Sequence, residues 1–412
     1  MINKLILIII FGLILFIGGS FLIPPKVIEI IPSPPKISET PGAQTQVWEG
    51  GGRVGVQTQS PSDYNPPTTL PQKRAPKSIT LILVGDIMLD RGVENMVEKY
   101  GQGDFKFPFL KIANELKEVD ILFGNLEGPI SDKGENVGSI YSFRNNPRAI
   151  EGLTFAGFNI LSLANNHAFD YGREALEDTF LRLKTAGIDY VGAGFDEKEA
   201  YSPAIKEINK TKIGFLAYTN LGPETWKATE GNSGIAWIPE NNLEKLKEEI
   251  KSAKENSDIL IVSLHAGEEY QLEPTQFQVD FAKMAIDAGA DLVVGHHPHV
   301  IQPVEKYKGG YIAYSLGNFV FDQSFSEETM KGQMIKVLIK SRAERSEARR
   351  GSLNFVRQAE GETGEETCFC DHLSPFAALG QMRQNLSDHG KIKEVIPMTI
   401  KINRYFQPEI NK

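Results

Sequence analysis

The sequence predicts an α/β fold, a sheet covered by helices. Three observations carry that expectation: five short apolar runs read as buried strands, helical segments alternate with them, and each run ends in polar residues able to do chemistry. The runs are ITLILVG (79–85), DILFG (120–124), NILSLA (159–164), DILIVSL (258–264) and ADLVVG (290–295). They lead into Asp86, into Asn125 and Glu127, into Asn166 and His167, into His265, and into His296, His297 and His299. Five of the seven histidines of the chain therefore stand at strand ends. One such histidine is usually no more than a hydrogen-bonded residue. Five at successive strand ends point to a common site, because ligands bind at the carboxyl edge of open α/β sheets. His, Asp, Glu and Asn together are the donor set of a divalent metal.

The elements follow in order along the chain. Residues 5–23 are nearly unbroken Leu, Ile, Phe and Gly preceded by Lys4, long enough to cross a hydrocarbon core of about 30 Å. They are expected to form an uncleaved N-terminal membrane anchor with the body outside the cytoplasm; Gly18, Gly19 and Ser20 offer the alternative of a signal-peptide cleavage site. Residues 24–77, rich in Pro, Gly, Ser, Thr and Gln, cannot bury enough apolar area to fold and read as a disordered tether. Residues 78–340 carry the motifs and are ample for a core.

Within that body, helices are expected over 173–186 before Gly187 and over 274–288 before Gly289. A third, over 242–255, places Leu243, Leu246, Ile250 and Ala253 on one face and leaves its charges to solvent. QMIKVLIK (333–340) alternates like a half-buried strand, and KIKEVIPMTIKIN (391–403) reads as its partner, so that residues 391–412 complete the domain. The stretch between them, 341–390, far exceeds an ordinary hairpin loop and reads as an insertion at a hairpin tip. It contains Cys368, Cys370, His372 and His389, which are therefore set apart from the site. Two cysteines one residue apart make neither a disulfide framework nor a zinc site.

The charge balance, 44 basic against 53 acidic side chains, gives −9 with no basic block, which argues against a nucleic-acid partner. An acidic polymer remains compatible, since a metal supplies positive charge locally.

Each motif has a chemical reading. In VGDIMLD, Asp86 either projects from the sheet edge into a shared centre or caps the helix starting near Arg91. In FGNLEG, Asn125 and Glu127 can reach the same centre, with Gly124 and Gly128 allowing close backbone approach, while turn chemistry alone is the alternative reading of Gly and Asn there. In NNHAFDYG, the amide oxygen of Asn166 suits a hard cation, while His167 points elsewhere and can donate a proton to a leaving oxygen. Asp170 either orients that imidazole or caps the helix at Arg173. In GHHPHV, extended periodicity puts His297 and His299 on one side and His296 on the other, and His265 completes a nitrogen-rich set. Two divalent ions about 3.5–4 Å apart would then activate water and clamp a phosphoryl group.

These motifs also carry a resemblance. NNHAFDYG resembles the GNHE-containing segment of calcineurin-like metallophosphoesterases and 5′-nucleotidases, and HPH resembles their GHxH. The ordered series VGDIML, NLEG, SLANNHAFDYG, GAG, HAGEEY, GADLVVGHHPHVIQPVEKY and YSLGNFVFDQ is similar to the CapA/PgsA family of poly-γ-glutamate capsule biosynthesis proteins, over residues 80–340 and again from Lys391. The resemblance implies a four-layer αββα sandwich of the calcineurin-like metallophosphoesterase type, an N-terminal anchor and an extracytoplasmic body. It implies metal-ligand positions at Asp86, Asn166, His265, His297 and His299, and the position of the phosphoesterase acid at His167.

Two departures stand out. The usual Asp-x-His is Asp86-Ile87-Met88, and the usual bridging Asp is Asn125, with Glu127 as a substitute. A second ion is then either weakly held or lost. The Trp expected after His265 is Ala266. The expected site is thus His167 and Asp170 for proton transfer, with Asp86, Asn125, Glu127, Asn166, His265, His297 and His299 around one or two divalent ions of Mn, Fe, Zn or Mg. Expected partners are an acidic polymer such as poly-γ-glutamate, the membrane and capsule synthase subunits. Two function classes follow. One is a metal-dependent hydrolase or transferase acting on a phosphoester or γ-glutamyl bond; the other is a non-catalytic assembly or export scaffold that binds the polymer.

Overall fold

Alternate side chains of the strand Ile79–Ile87 enter two different cores, and the architecture follows from that. In the computed structural model, which describes residues 78–239, 243–341 and 392–410, Ile79, Leu81 and Leu83 pack with Phe215, Ile261 and Val294 of a second sheet. Ile82, Val84 and Ile87 pack on the opposite face with Val93, Val97, Leu153 and Phe180 from helices. A strand buried on both faces needs an unbroken apolar run, which is why these segments lack polar alternation. The second sheet does the same: Ile259 and Ile261 face the first sheet, whereas Leu260, Val262 and Leu264 meet Leu246, Ile250, Phe281 and Ala285 of two further helices. The layers therefore run helix, sheet, sheet, helix, the four-layer αββα sandwich expected from the resemblance. Phe123 and Phe215 stack across the sheet interface at 5.5 Å.

The first sheet is mixed. Its order is Pro408–Ile410, Ile392–Ile402, Lys331–Ile339, Ile79–Ile87, Ile121–Leu126, Ile160–Ser162 and Asp189–Val191, with Asn318–Val320 also pairing beside Asp86. The second runs Val304–Tyr307, Gly310–Ala313, Leu292–His296, Ile259–His265, Thr211–Thr219 and Ala204–Ile208. Parallel register brings the chemistry level: Asp86 pairs with Asn125 in one sheet, and His265 with His296 in the other.

Helices form over Gly172–Thr185, Glu244–Glu255 and Gln276–Asp287, close to their expected bounds. Gly187 and Gly289 follow two of them with φ of 73° and 114°, the left-handed conformation that ends a helix and suits glycine. Thr275 and Gln278 close a reciprocal capping box, so the third starts two residues later than Pro274 suggested. Lys331–Ile339 pairs antiparallel with Ile392–Ile402, Ile339 opposite Ile392. The expected anchor at 5–23, the tether at 24–77 and nearly all of the expected insertion, with both cysteines, His372 and His389, lie outside the described residues. Among the described residues, no helix is long and apolar enough to cross a membrane.

Candidate metal centre

Asp86 is the hub of the site. Fully buried at the end of its strand, it accepts from Asn125 Nδ2 through Oδ1 (2.9 Å) and from the His297 amide through Oδ2 (3.2 Å). Its oxygens also lie 3.3 Å from His296 Nδ1 and 3.5 Å from His299 Nδ1. The carboxylate of one sheet thus faces three histidines of the other. The alternative role of Asp86 as a helix cap is not the observed one: Asp90 accepts the Arg91 amide and caps Arg91–Gly101 instead.

Amides set the imidazoles. Asn125 Nδ2 donates to His265 Nδ1 (3.1 Å), and His265 Nε2 lies 2.7 Å from Asn166 Oδ1. His299 Nδ1 lies 2.9 Å from Asn318 Oδ1, which leaves Nε2 as the lone-pair nitrogen. Asn165 donates to the Leu126 carbonyl (2.8 Å) and accepts from the His167 amide (3.1 Å), tying two strand ends together.

His167 stands at the edge of this group. Its Nδ1 is 2.7 Å from Asp170 Oδ2, which also accepts from the Phe143 amide (2.8 Å). Tyr171 occupies the N-cap of the following helix with no side-chain cap bond, so Asp170 orients the imidazole and does not cap. The His167 and Phe143 rings are 3.9 Å apart between centroids, and the Arg91 guanidinium lies 4.5 Å from the Phe143 ring. His167 Nε2 faces Glu127 Oε2 at 3.9 Å.

Two triads of donors converge. Asp86, Glu127 and His265, all buried, each offer one atom within 4.8 Å of the others; Glu269, His297 and His299 do the same. Burial, with the charge of Asp86 adding to it, pushes the Glu127 carboxyl well above the usual carboxylate range. Burial also holds His265 well below the ordinary imidazole range, with His297 the next cause, and pushes His297 down to about 3, with His299 the next cause. Neutral imidazoles at pH 7 keep the lone pairs that metals need.

Both Glu127 oxygens, both His296 nitrogens and His297 Nδ1 are buried without a hydrogen-bond partner. Buried polar groups are nearly always satisfied, at about 1–3 kcal/mol for each failure. Against a total stability of about 5–15 kcal/mol, several failures in one place would be hard to sustain. A divalent cation held by Asp86, Glu127 and His265 would satisfy the Glu127 carboxylate, and these residues fit one.

The expected site residues Asp86, Asn125, Glu127, Asn166, His167, Asp170, His265, His297 and His299 all meet here. One expectation needs correction: His296 does not face away from His297 and His299 but looks onto Asp86. The cause is backbone conformation. His297 has φ of 98° and His299 of 58°, so the extended alternation that would separate neighbours does not apply. Glu269 was not anticipated, although an acidic pair two residues beyond the strand-end His265-Ala266 was the available signal. Asn318 and Asn145 were also missed. Asn145 accepts from the Leu89 amide (2.6 Å) and donates to the Glu127 and Gly128 carbonyls (2.9 Å each), contacts no local pattern announces. Met88, where a family imidazole was expected, packs in the helix-side core and accepts from the Asp90 amide through sulfur (3.2 Å).

Residues 80–323 match the family described as bacterial capsule synthesis protein PGA_cap. The chain is 36% identical over 258 residues to a capsule biosynthesis protein CapA of Bacillus anthracis, covering 61% of this chain and 62% of that protein. It is 34% identical over 247 residues to a PGA biosynthesis protein CapA of Bacillus subtilis, covering 59% and 63%. It is 29% identical over 287 residues to a probable polyglutamine synthesis accessory protein of Mycobacterium tuberculosis, covering 60% and 75%. The matched part thus spans under two thirds of the length of both Bacillus relatives. A family match that covers more than half of the chain and every strand end of the site settles the kinship: this chain belongs to the bacterial capsule synthesis protein PGA_cap family.

Proposed function

We propose that this protein acts in the synthesis of an acidic capsule or cell-envelope polymer of the poly-γ-glutamate type, as a membrane-anchored, metal-dependent hydrolase or transferase. The relatives named for capsule and PGA biosynthesis support the polymer class. The observation that carries the chemistry is the His167–Asp170 pair, held at 2.7 Å beside a buried donor cluster.

Asp86, Glu127 and His265 would hold a divalent cation, with Asn125, Asn166, His297 and His299 around it. Bound there, the ion supplies Lewis acidity and the positive charge that an anionic substrate requires of a protein with net charge −9. The chain's own residues do the rest. With Nδ1–H donated to Asp170, His167 carries or releases its exchangeable proton at Nε2, the atom that faces the cluster. Asp170 stabilises the imidazolium, and Phe143 fixes the ring plane. The strand-end donors Asp86, Glu127 and His265 are buried, whereas Glu269 is exposed.

One observation favours a second reading, a scaffold that binds polymer without turnover: Met88 lies in the core and adds no ligand. The variant His167→Ala separates the two. As an enzyme, the variant keeps its metal and loses turnover by about 100- to 10,000-fold, the usual cost of a missing general acid. Normal polymer output from His167→Ala in a complementation assay, with expression and metal content unchanged, would rule out the catalytic reading.

A further inference from the structure

We propose that Glu269 is a ligand to a second, outer divalent cation, shared with His297 and His299. The inference rests on the reading of the inner triad as a metal centre. Three observations carry it.

The first is the donor geometry. Glu269, His297 and His299 each present an atom within 4.8 Å of the other two, a triad that shares no residue with Asp86, Glu127 and His265. His297 Nδ1 is buried without a partner, and Asn318 engages His299 Nδ1 so that Nε2 is available.

The second is how the two segments are joined. The Ala266 amide donates to the His296 carbonyl (3.2 Å) and the Tyr270 amide to the Pro298 carbonyl (2.8 Å). Gln302 Nε2 then donates to the Gln271 and Glu273 carbonyls (2.9 and 3.0 Å). Buried Gln302 is itself fixed by Gln278, whose Nε2 donates to Gln302 Oε1 (2.9 Å). The loop that carries Glu269 is therefore latched along its length to the loop that carries the histidine pair.

The third is local strain. His297, His299 and Tyr270 all have positive φ, at 98°, 58° and 65°. Non-glycine residues in that region cost on the order of 1–3 kcal/mol each and persist where the surroundings enforce them, typically at ligand sites. Here the strained residues are two donors and the neighbour of the third.

The two triads differ in access. The inner donors are buried, whereas Glu269 is exposed beside Tyr270 and Phe325, whose exposed rings meet edge to face at 5.0 Å. The outer ion is consequently the one an incoming anionic group meets first.

Equilibrium dialysis of the full-length protein against Mn²⁺, followed by metal analysis, tests this without reference to activity. Wild type and the exposed-neighbour control Glu268→Gln are expected to bind two ions. Glu269→Gln, which keeps shape and removes charge, should hold one ion normally and the second at least about 10-fold more weakly. Unchanged binding by Glu269→Gln, at whatever stoichiometry the wild type shows, overturns the assignment of Glu269 and leaves the inner site standing. A wild-type protein that binds no Mn²⁺ overturns both.

Discussion

Asn125 shows how a neutral amide stabilises a group of residues built to hold charge. Its Nδ2 donates both to Asp86 and to His265, so in the metal-free protein it separates a buried carboxylate from an imidazole without adding charge. Asn125→Asp should reverse that balance. Without metal, two buried carboxylates would face each other and lose these donated bonds, a destabilisation of about 3 kcal/mol. With metal, the added negative charge tightens ion binding and the stability returns by linkage. Thermal melts in chelator and in excess Mn²⁺ should show Asn125→Asp below wild type in the first and recovered in the second; a variant that melts with wild type in both would refute this account. At this scale the sequence was informative where chemistry is local. Asp86 and His265 were legible because each directly follows an apolar run, and His167 because it follows one within three residues. His296 was misplaced because its orientation depends on positive φ at His297, and Asn318 and Asn145 were invisible because their partners lie far along the chain.

At the scale of elements, backbone closes tightly over two of the strand ends that carry the site. A Cβ on Gly85 would overlap the Gly317 carbonyl oxygen, the acceptor of the Asp86 amide, and one on Gly295 would overlap that of Tyr314. Both glycines sit one residue before a site side chain, where neighbouring backbone closes over the strand end. Gly85→Ala should therefore cost about 1–3 kcal/mol through overpacking and displace Asp86. The check is a lowered melting temperature together with weakened Mn²⁺ binding, and an unchanged melt would show that the strand end has room. The strands and the helices Gly172–Thr185, Glu244–Glu255 and Gln276–Asp287 were legible because apolar period and terminal glycines agree. The short elements Glu197–Tyr201 and Ala193–Gly194 were not: the first is only five residues long, and the second pairs with distant Gly234–Ile235.

For the whole molecule, α/β alternation announced the fold class, but the pairing of two sheets came only with the family resemblance. No single strand reveals whether its second apolar face meets a helix or another sheet. The proposed attachment belongs to this scale too. If residues 5–23 span the bilayer, the full-length protein stays in the membrane fraction through high-salt washing, because burial and not charge holds it. Release by salt with the N-terminus intact would remove the anchor from the proposal.

From Ile79 to Asp86 the strand Ile79–Ile87 runs roughly 23 Å at about 3.3 Å per residue. It lies inside its sheet, antiparallel to Lys331–Ile339 on one side and parallel to Ile121–Leu126 on the other. A pull exerted through Ser78 therefore runs along the strand axis and loads both ladders in shear, with their hydrogen bonds sharing the force instead of opening one by one. If residues 5–23 anchor the chain as proposed, the strand that carries the central carboxylate would also be the one through which tension enters the domain, set in the direction in which a sheet resists it best.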